Sequence, residues 1–303
     1  MRPGILLAAA IAFAVVSGAA NAEGSPSAPG PAAATPPDVR ERIARLDEQI
    51  AREPTALHHY LRARLHESVG DFEKAVADYS EAMRLRPDMA GYVKARGWAR
   101  RLMWDLEGAL ADYDQVLRMA PEAWEVYLLR ASVWIYRGQP RKALEDANRA
   151  VAGKPSGHAY SYRGFAHLTL GDYDAAMQAF DKATEADPGL PGPYEGRAEV
   201  HLVRGELGLA SAQITMALER SRGSTAARLL AGSLALKRGE PRAAQESFES
   251  ILRIDPENPE ARFGRGVARL RLGRRVDGLA DIAAAERLMP QVSMAYARQG
   301  IRP

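Results

Sequence analysis

One pattern recurs along most of this chain at a nearly constant interval. Six glycines and one tryptophan stand at equivalent points, separated by 34, 34, 33, 34, 34 and 34 residues: Gly70, Trp104, Gly138, Gly171, Gly205, Gly239 and Gly273. Self-similarity at a period of about 20 to 50 residues is the signature of solenoids, propellers and other arrays. Because such arrays bury their core between neighbouring units, this repeat constrains the fold more than length or composition does.

Three further columns keep the same step on either side of the glycine. The first holds small residues: Ala63, Gly97, Ala131, Gly164, Ala198, Gly232 and Gly266. The second is mostly bulky and apolar: Tyr79, Tyr113, Ala147, Phe180, Ile214, Phe248 and Ile282. The third is mostly proline: Pro87, Pro121, Pro155, Pro188, Arg222, Pro256 and Pro290. Apolar and small residues recur at three- and four-residue steps on both sides of the glycine, which predicts two helices in each unit. The glycine ends the first helix, and the proline separates one unit from the next.

A two-helix unit with these columns resembles the tetratricopeptide repeat family, and the resemblance covers seven units. Their approximate bounds are 56–89, 90–123, 124–156, 157–190, 191–224, 225–258 and 259–292. The resemblance implies an all-α, right-handed α-solenoid over residues 38–303. It also implies that the first helix of each unit lines a concave groove, and that ligands are extended or helical segments of other proteins. We expect partial capping helices at 39–52 and 293–299, because the end faces of a solenoid need covering.

The N-terminus has a different character from the repeats. Arg2 precedes a continuous apolar run at 5–16, and residues 20–22 read Ala-Asn-Ala, which is typical of a signal-peptidase site. We therefore expect a signal peptide at 1–22, a mature chain that starts at Glu23, and a periplasmic or secreted protein. The alternative is that residues 3–20 stay uncleaved as a membrane anchor, since the run approaches the roughly 18 to 20 residues that span a bilayer.

Composition narrows the remaining possibilities. Residues 23–37 are rich in Pro, Ala, Gly and Ser, which predicts a disordered linker. The net charge is only +3, with 41 basic and 38 acidic residues intermixed, so the sequence lacks the clustered basic surface that nucleic-acid binding requires. There is no cysteine, and therefore no disulfide framework or lipid-attachment site.

An arginine column offers the first candidate for chemistry. Four of its members precede an aspartate by 16 residues: Arg62 with Asp78, Arg96 with Asp112, Arg130 with Asp146, and Arg265 with Asp281. This spacing predicts ion pairs between the two helices of a unit or between adjacent units. The alternative is a row of arginines that binds an anionic ligand, although an arginine facing its own acid is already satisfied.

The sequence predicts no metal, no cofactor and no enzymatic activity. His66, His167 and His201 share one column, but equivalent residues of adjacent units lie about a helix-packing distance of 8 to 10 Å apart. Zinc ligands must instead converge within about 2.3 Å of one point. The repeats leave little room for a catalytic domain, and the nucleophile-elbow, phosphate-loop and HExxH motifs are missing.

The sequence therefore favours an exported scaffold or adaptor that binds peptide segments of partner proteins. Candidate groove residues on the first helices are Tyr60, Lys94, Trp98, Leu128, Tyr136, Phe165, Leu229 and Phe263. Such a row is unusual for a solvated face, and aromatic side chains supply much of the free energy of binding at interfaces. Two alternatives stay open: these side chains pack between units, or the solenoid is a structural or self-associating part of an envelope assembly.

One stretch departs from the repeat. Arg222 replaces the column proline, Ala231 replaces the column arginine, and Gln213 and Ser247 replace the aspartates. We expect a weak joint between the fifth and sixth units, because each interface of a solenoid contributes its own free energy.

Overall fold

A computed structural model describes residues 37–303 of the protein. Within this range the chain forms sixteen α-helices and no strand, which confirms the all-α solenoid: α1 Pro37–Arg52, α2 Ala56–Ser68, α3 Phe72–Leu85, α4 Ala90–Leu102, α5 Leu106–Met119, α6 Trp124–Tyr136, α7 Pro140–Gly153, α8 Gly157–Leu170, α9 Tyr173–Ala186, α10 Pro191–Arg204, α11 Leu207–Arg220, α12 Thr225–Arg238, α13 Pro241–Leu252, α14 Pro259–Arg271, α15 Arg275–Leu288 and α16 Val292–Arg298. The predicted signal peptide, and the predicted linker up to residue 36, lie outside the described residues.

Helices α2 to α15 form seven pairs, which we call units 1 to 7. In each unit an even-numbered first helix packs along an odd-numbered second helix. The small-residue column explains how closely the pairs approach. A Cβ atom added to Gly232 would lie 2.5 Å from the ring of Phe248, and Gly264 of the next unit touches the same ring. Phe180 is enclosed in the same way by Gly164 and Gly196, so units 4 and 6 do not close their cores alone.

The turn between the two helices of a unit needs a left-handed backbone. The glycine column has φ between 69° and 84°, the region that glycine enters without a Cβ clash. Trp104 adopts the same conformation with φ 62°, and it is the one residue other than glycine with positive φ among residues 37–303. For a residue with a side chain this conformation costs roughly 1–2 kcal/mol.

The first helices form the inner layer of the solenoid. From α4 to α16, each first helix packs against the next first helix as well as against its own partner, whereas the second helices of the described range make no comparable contact with one another. A solenoid curves toward the layer whose helices lie closer together, so the first helices line the concave face. Their packing is closest from α6 onward and loosest among α2, α4 and α6.

The two ends are covered by partial units. Helix α1 packs on α2, where Asp47 pairs with Arg62 at 2.7 Å. At the other end, α16 packs on α14 and α15 as the first helix of an unfinished eighth unit. Between Pro37 and Pro303, every helix is too short or too polar to cross a bilayer.

Candidate functional site

Aromatic side chains cross the concave face of the first three units. Tyr60, Trp98 and Tyr136 lie on the successive first helices α2, α4 and α6, and each stands one helical turn further along its helix than the one before. All three are half-buried. The exposed Trp104 continues the row, because its ring meets Tyr136 edge-on at 5.2 Å between centroids. We call these four residues the aromatic face.

Two buried polar side chains, Glu67 and Arg101, contact Trp98 of the aromatic face. Glu67 is 4% exposed, accepts a hydrogen bond from the Tyr79 hydroxyl at 2.6 Å, and also interacts with the Trp98 side chain. Burial raises the pKa of the Glu67 carboxyl, against the lowering effect of these partners. On the other side, the guanidinium of Arg101 stacks over the Trp98 ring at 4.3 Å. Such a polar network fixes ring orientation, which lowers the entropy that a partner must remove on binding.

Lys94, one of the residues predicted to line the groove, lies on the same helix as Trp98 of the aromatic face. Lys94 on α4 reaches Glu125 on α6, with 3.5 Å between Nζ and Oε1, and about a third of each side chain is exposed. An ion pair this exposed contributes little to stability, typically about 0.2–1 kcal/mol. Both charges therefore remain available to a polar ligand backbone.

Four of the predicted groove residues are packed in the interior, so their assignment to an open surface is wrong. Phe165, Leu229 and Phe263 are fully buried, and Leu128 is 6% exposed. The Phe165 ring lies edge-on to Phe180 at 5.1 Å, and the Phe263 ring lies 5.0 Å from Tyr296.

The curvature of the inner layer explains this difference. The packed residues sit on α6, α8, α12 and α14, where neighbouring first helices lie close together and cover the side chains between them. Tyr60 and Trp98 sit on α2 and α4, where the first helices are splayed. Equivalent positions of the repeat are therefore open at the N-terminal end and closed further along.

The arginine column forms the predicted ion pairs. Arg62, Arg96, Arg130 and Arg265 each donate through Nε and a terminal nitrogen to both oxygens of the aspartate 16 residues later, at 2.6–3.0 Å. Several also reach back one unit, as in Arg130 to Asp114 at 2.6 Å. The column joins units together, and its guanidinium groups are engaged with these carboxylates.

The histidines of the column each lie beside an acid of their own unit. Nδ1 of His66, His167 and His201 lies 3.9, 3.4 and 2.5 Å from the acid at the start of the following helix. Burial lowers the pKa of His66 and of His167, which keeps both rings neutral at pH 7. Residues 37–303 contain no cluster of three or more His, Cys, Asp or Glu that could hold a metal ion.

Trp104 is the member of the aromatic face that the sequence analysis did not single out. Its signal is visible in the repeat, as the one bulky side chain in a column of glycines. The indole is 60% exposed, so packing compensates the left-handed backbone beneath it only in part.

The solenoid fold agrees with the protein-family models that match this chain. The tetratricopeptide repeat model matches residues 95–156, 135–191 and 229–292, which together exceed half of the chain, and a second tetratricopeptide repeat model matches residues 59–89. This chain belongs to the tetratricopeptide repeat family. The matches omit residues 192–228, which include two of the four column lapses, Gln213 and Arg222.

Individual relatives are distant. DnaJ homolog subfamily C member 3 from Bos taurus is 33% identical over 93 residues, which are 31% of this chain and 18% of that protein. The chain therefore matches under a fifth of the length of this relative. The fold itself has close neighbours. A tetratricopeptide repeat protein from Parabacteroides merdae has a TM-score of 0.60 at 19% identity, covering 86% of this chain and 98% of its own.

Two further solved structures share the fold. The hetero-tetramer Cut9–Hcn1 has a TM-score of 0.64 at 14% identity and covers 86% of this chain and 52% of its own. PilW, a type IV pilus biogenesis factor, has a TM-score of 0.56 at 18% identity and covers 68% and 96%. Tetratricopeptide repeat proteins generally act as non-catalytic protein-interaction scaffolds.

Proposed function

We propose that this protein is an exported scaffold that binds a segment of a partner protein across the aromatic face. The observation that carries the proposal is the row Tyr60, Trp98, Tyr136 and Trp104, which presents aromatic surface on the splayed N-terminal part of the concave face. Exposed apolar surface of this kind commonly marks an interaction site. Tyr and Trp bury large areas at low conformational cost, so they dominate binding free energy in such sites.

The polar groups around this face suit a peptide backbone. Lys94 and Glu125 together offer a donor and an acceptor at the surface, while Glu67 and Arg101 are held below it. A ligand that lies across α2, α4 and α6 would bury the rings and satisfy its own amides at this pair. The existence of a hetero-tetramer with the same fold, Cut9–Hcn1, is compatible with a role in protein assembly.

Export rests on the N-terminal sequence alone. Arg2, the apolar run at 5–16 and the Ala-Asn-Ala tripeptide at 20–22 support a cleaved signal peptide and a periplasmic or secreted scaffold. Residues 23–37 would then connect the solenoid to the free N-terminus, or to the membrane if the anchor is retained.

Trp104→Gly provides a sharp test of binding. Glycine is the residue of the other six units at this position, so the variant relieves roughly 1–2 kcal/mol of backbone strain. It loses a ring contact with Tyr136 worth about 0.5–1.5 kcal/mol, which leaves the stability nearly unchanged. The matched control is Leu209→Ala, which removes a 54% exposed apolar side chain from the second helix α11.

The experiment selects peptides from a random display library on the wild-type chain and measures their affinities by fluorescence polarisation. Trp104→Gly is expected to weaken them at least tenfold, while Leu209→Ala leaves them unchanged. A library that yields no binder, or binders that Trp104→Gly leaves intact, contradicts the proposal. Sedimentation velocity on the same variants tests the alternative: a wild-type oligomer that dissociates in Trp104→Gly would make this face a self-association surface.

A further inference from the structure

The segment that follows α16 packs against the inner layer of first helices. After α16 the backbone turns at Gly300, which has φ 74°, and the amide of Ile301 bonds back to the carbonyl of Tyr296 at 3.0 Å. Gln299 and Ile301 are each only 1% exposed, whereas Arg302 is exposed. The burial of Gln299 and Ile301 shows that this segment is held against the solenoid.

One lysine connects this segment to two other units. Nζ of Lys237, on α12, donates to the carbonyl of Gln299 at 2.5 Å and to the carbonyl of Leu202, at the end of α10, at 2.6 Å. Lys237 and Gln299 are 62 residues apart in the chain. Lys237 therefore joins units 5 and 6 to the segment that follows α16, in addition to the packing of α16 as an end cap.

One buried carboxylate lies close to the segment. Glu199, on α10, is 2% exposed, and the positive charge of Arg298 acts on its carboxyl. Burial raises the pKa of Glu199 to about 7. Arg298 thus supplies a positive charge beside Glu199.

The junction is incompletely satisfied. Oε2 of Glu199 and Oε1 of Gln299 are both buried without a hydrogen-bond partner. Buried polar atoms without partners oppose closure, each by roughly 1–3 kcal/mol. A contact with this composition opens at lower free energy than an apolar core does, and a ligand that satisfies the same carboxylate competes with it directly.

We propose that the concave face of units 5 and 6 is a second peptide site, kept closed by residues 298–303 of the same chain, and that it binds a partner segment carrying a basic side chain in the place of Arg298. Residues 298–301 of this chain are the model for that ligand: a basic residue followed three positions later by an aliphatic one. This site lies apart from the aromatic face, on units that the aromatic face does not include.

The probe is a fluorescein-labelled peptide with the sequence of residues 295–303, AYARQGIRP, measured by fluorescence polarisation against the full chain. Ile301→Asp releases the segment by placing a charge in a buried apolar position, and Arg302→Ala is the matched control in the exposed part of the segment. When a competent state is only partly populated, apparent affinity falls by that fraction. We expect Ile301→Asp to bind the peptide at least tenfold more tightly than the wild type and Arg302→Ala do.

Two further comparisons test whether Glu199 and the first arginine of the peptide account for the binding. Adding Glu199→Gln to Ile301→Asp, or replacing the first arginine of the peptide with alanine, is expected to reverse most of the gain. Hydrogen exchange on the wild type gives an independent reading, since the amide of Ile301 should lose protection when excess peptide is present.

Equal binding by wild type and Ile301→Asp, or no binding by either, overturns the proposal. A wild-type dimer that Ile301→Asp dissociates would place the segment on a second copy and also overturns closure within one chain. Trp104→Gly should leave this peptide's affinity unchanged, so failure of one site is distinguishable from failure of the other.

Discussion

Replacing Glu195 with glutamine should change how the stability of the C-terminal units depends on pH. Glu195 is 0% exposed, and burial raises the pKa of its carboxyl to about 7 from an ordinary value of 4.5. Glutamine keeps the shape of the side chain and the acceptor for the Ser224 hydroxyl, but it carries no titrating proton. The substitution therefore isolates the cost of ionising this one group.

The sign follows from which state holds the proton. Below pH 4.5 the carboxyl is protonated in both the folded and the unfolded chain, so it makes no pH-dependent contribution. Between 4.5 and about 7 the folded chain retains a proton that the unfolded chain has lost, so the free energy of unfolding falls as pH rises. The slope is about 1.4 kcal/mol per pH unit, which accumulates to roughly 3 kcal/mol at pH 8.

We expect Glu195→Gln and wild type to differ little at pH 4.5, and the variant to be more stable by up to roughly 3 kcal/mol at pH 8. The assay is hydrogen exchange of the α10 amides, followed by mass spectrometry, with both proteins compared at each pH. Intrinsic exchange rates and the histidine contributions are common to both and cancel.

Glu185→Gln, on an exposed side chain of α9, is the reference for the amide substitution itself. A difference between Glu195→Gln and wild type that is constant across pH would refute the reasoning. So would one that grows toward acid.

Three further outcomes are expected. Gly232→Ala places a methyl group 2.5 Å from the Phe248 ring and should cost roughly 1–3 kcal/mol in thermal melts, whereas Gly91→Ala, with nothing within 4 Å, should be neutral or stabilising. Limited trypsin digestion should cut the folded part first within residues 220–223, where the columns lapse; earlier cleavage elsewhere would contradict a weak joint there. N-terminal sequencing of the native protein should begin at Glu23, and an intact Met1 product in the membrane fraction would favour the anchor.

The sequence predicts the fold well because every unit repeats the same solution. Glycine at the turn, a small residue opposite an aromatic one, and an arginine 16 residues before an aspartate each correspond to an observed contact. Because the pattern recurs every 34 residues over seven units, a single exception such as Arg222 in the proline column does not change the predicted architecture.

The binding site is harder to predict from the sequence than the fold. The exposure of a side chain depends on the local curvature of the solenoid, and the repeat columns contain no information about that curvature. Trp98 and Phe165 occupy equivalent positions of units 2 and 4, yet one is half-buried and the other is 0% exposed. The difference arises from how closely neighbouring first helices approach, which is a sum over many interface contacts. The resting place of Ile301 is equally invisible in sequence, since it depends on where the last turn directs the chain.

Trp104 combines a strained backbone conformation with a position at the open, N-terminal end of the groove. An exposed indole on a left-handed backbone lowers the stability of the isolated chain, and six other units solve the same turn with glycine. Strain of this kind persists where a side chain serves something other than folding. Its ring extends the row through Tyr136 at the point where the first helices are splayed, and the Tyr136 contact offsets the backbone strain only in part. A bound segment would bury the rest of this side chain. Units 5 and 6 differ from this open end, because residues 298–303 of the same chain cover their inner surface. A ligand gains affinity at the first site by covering exposed rings, and at the second only by exceeding the affinity of the segment already there.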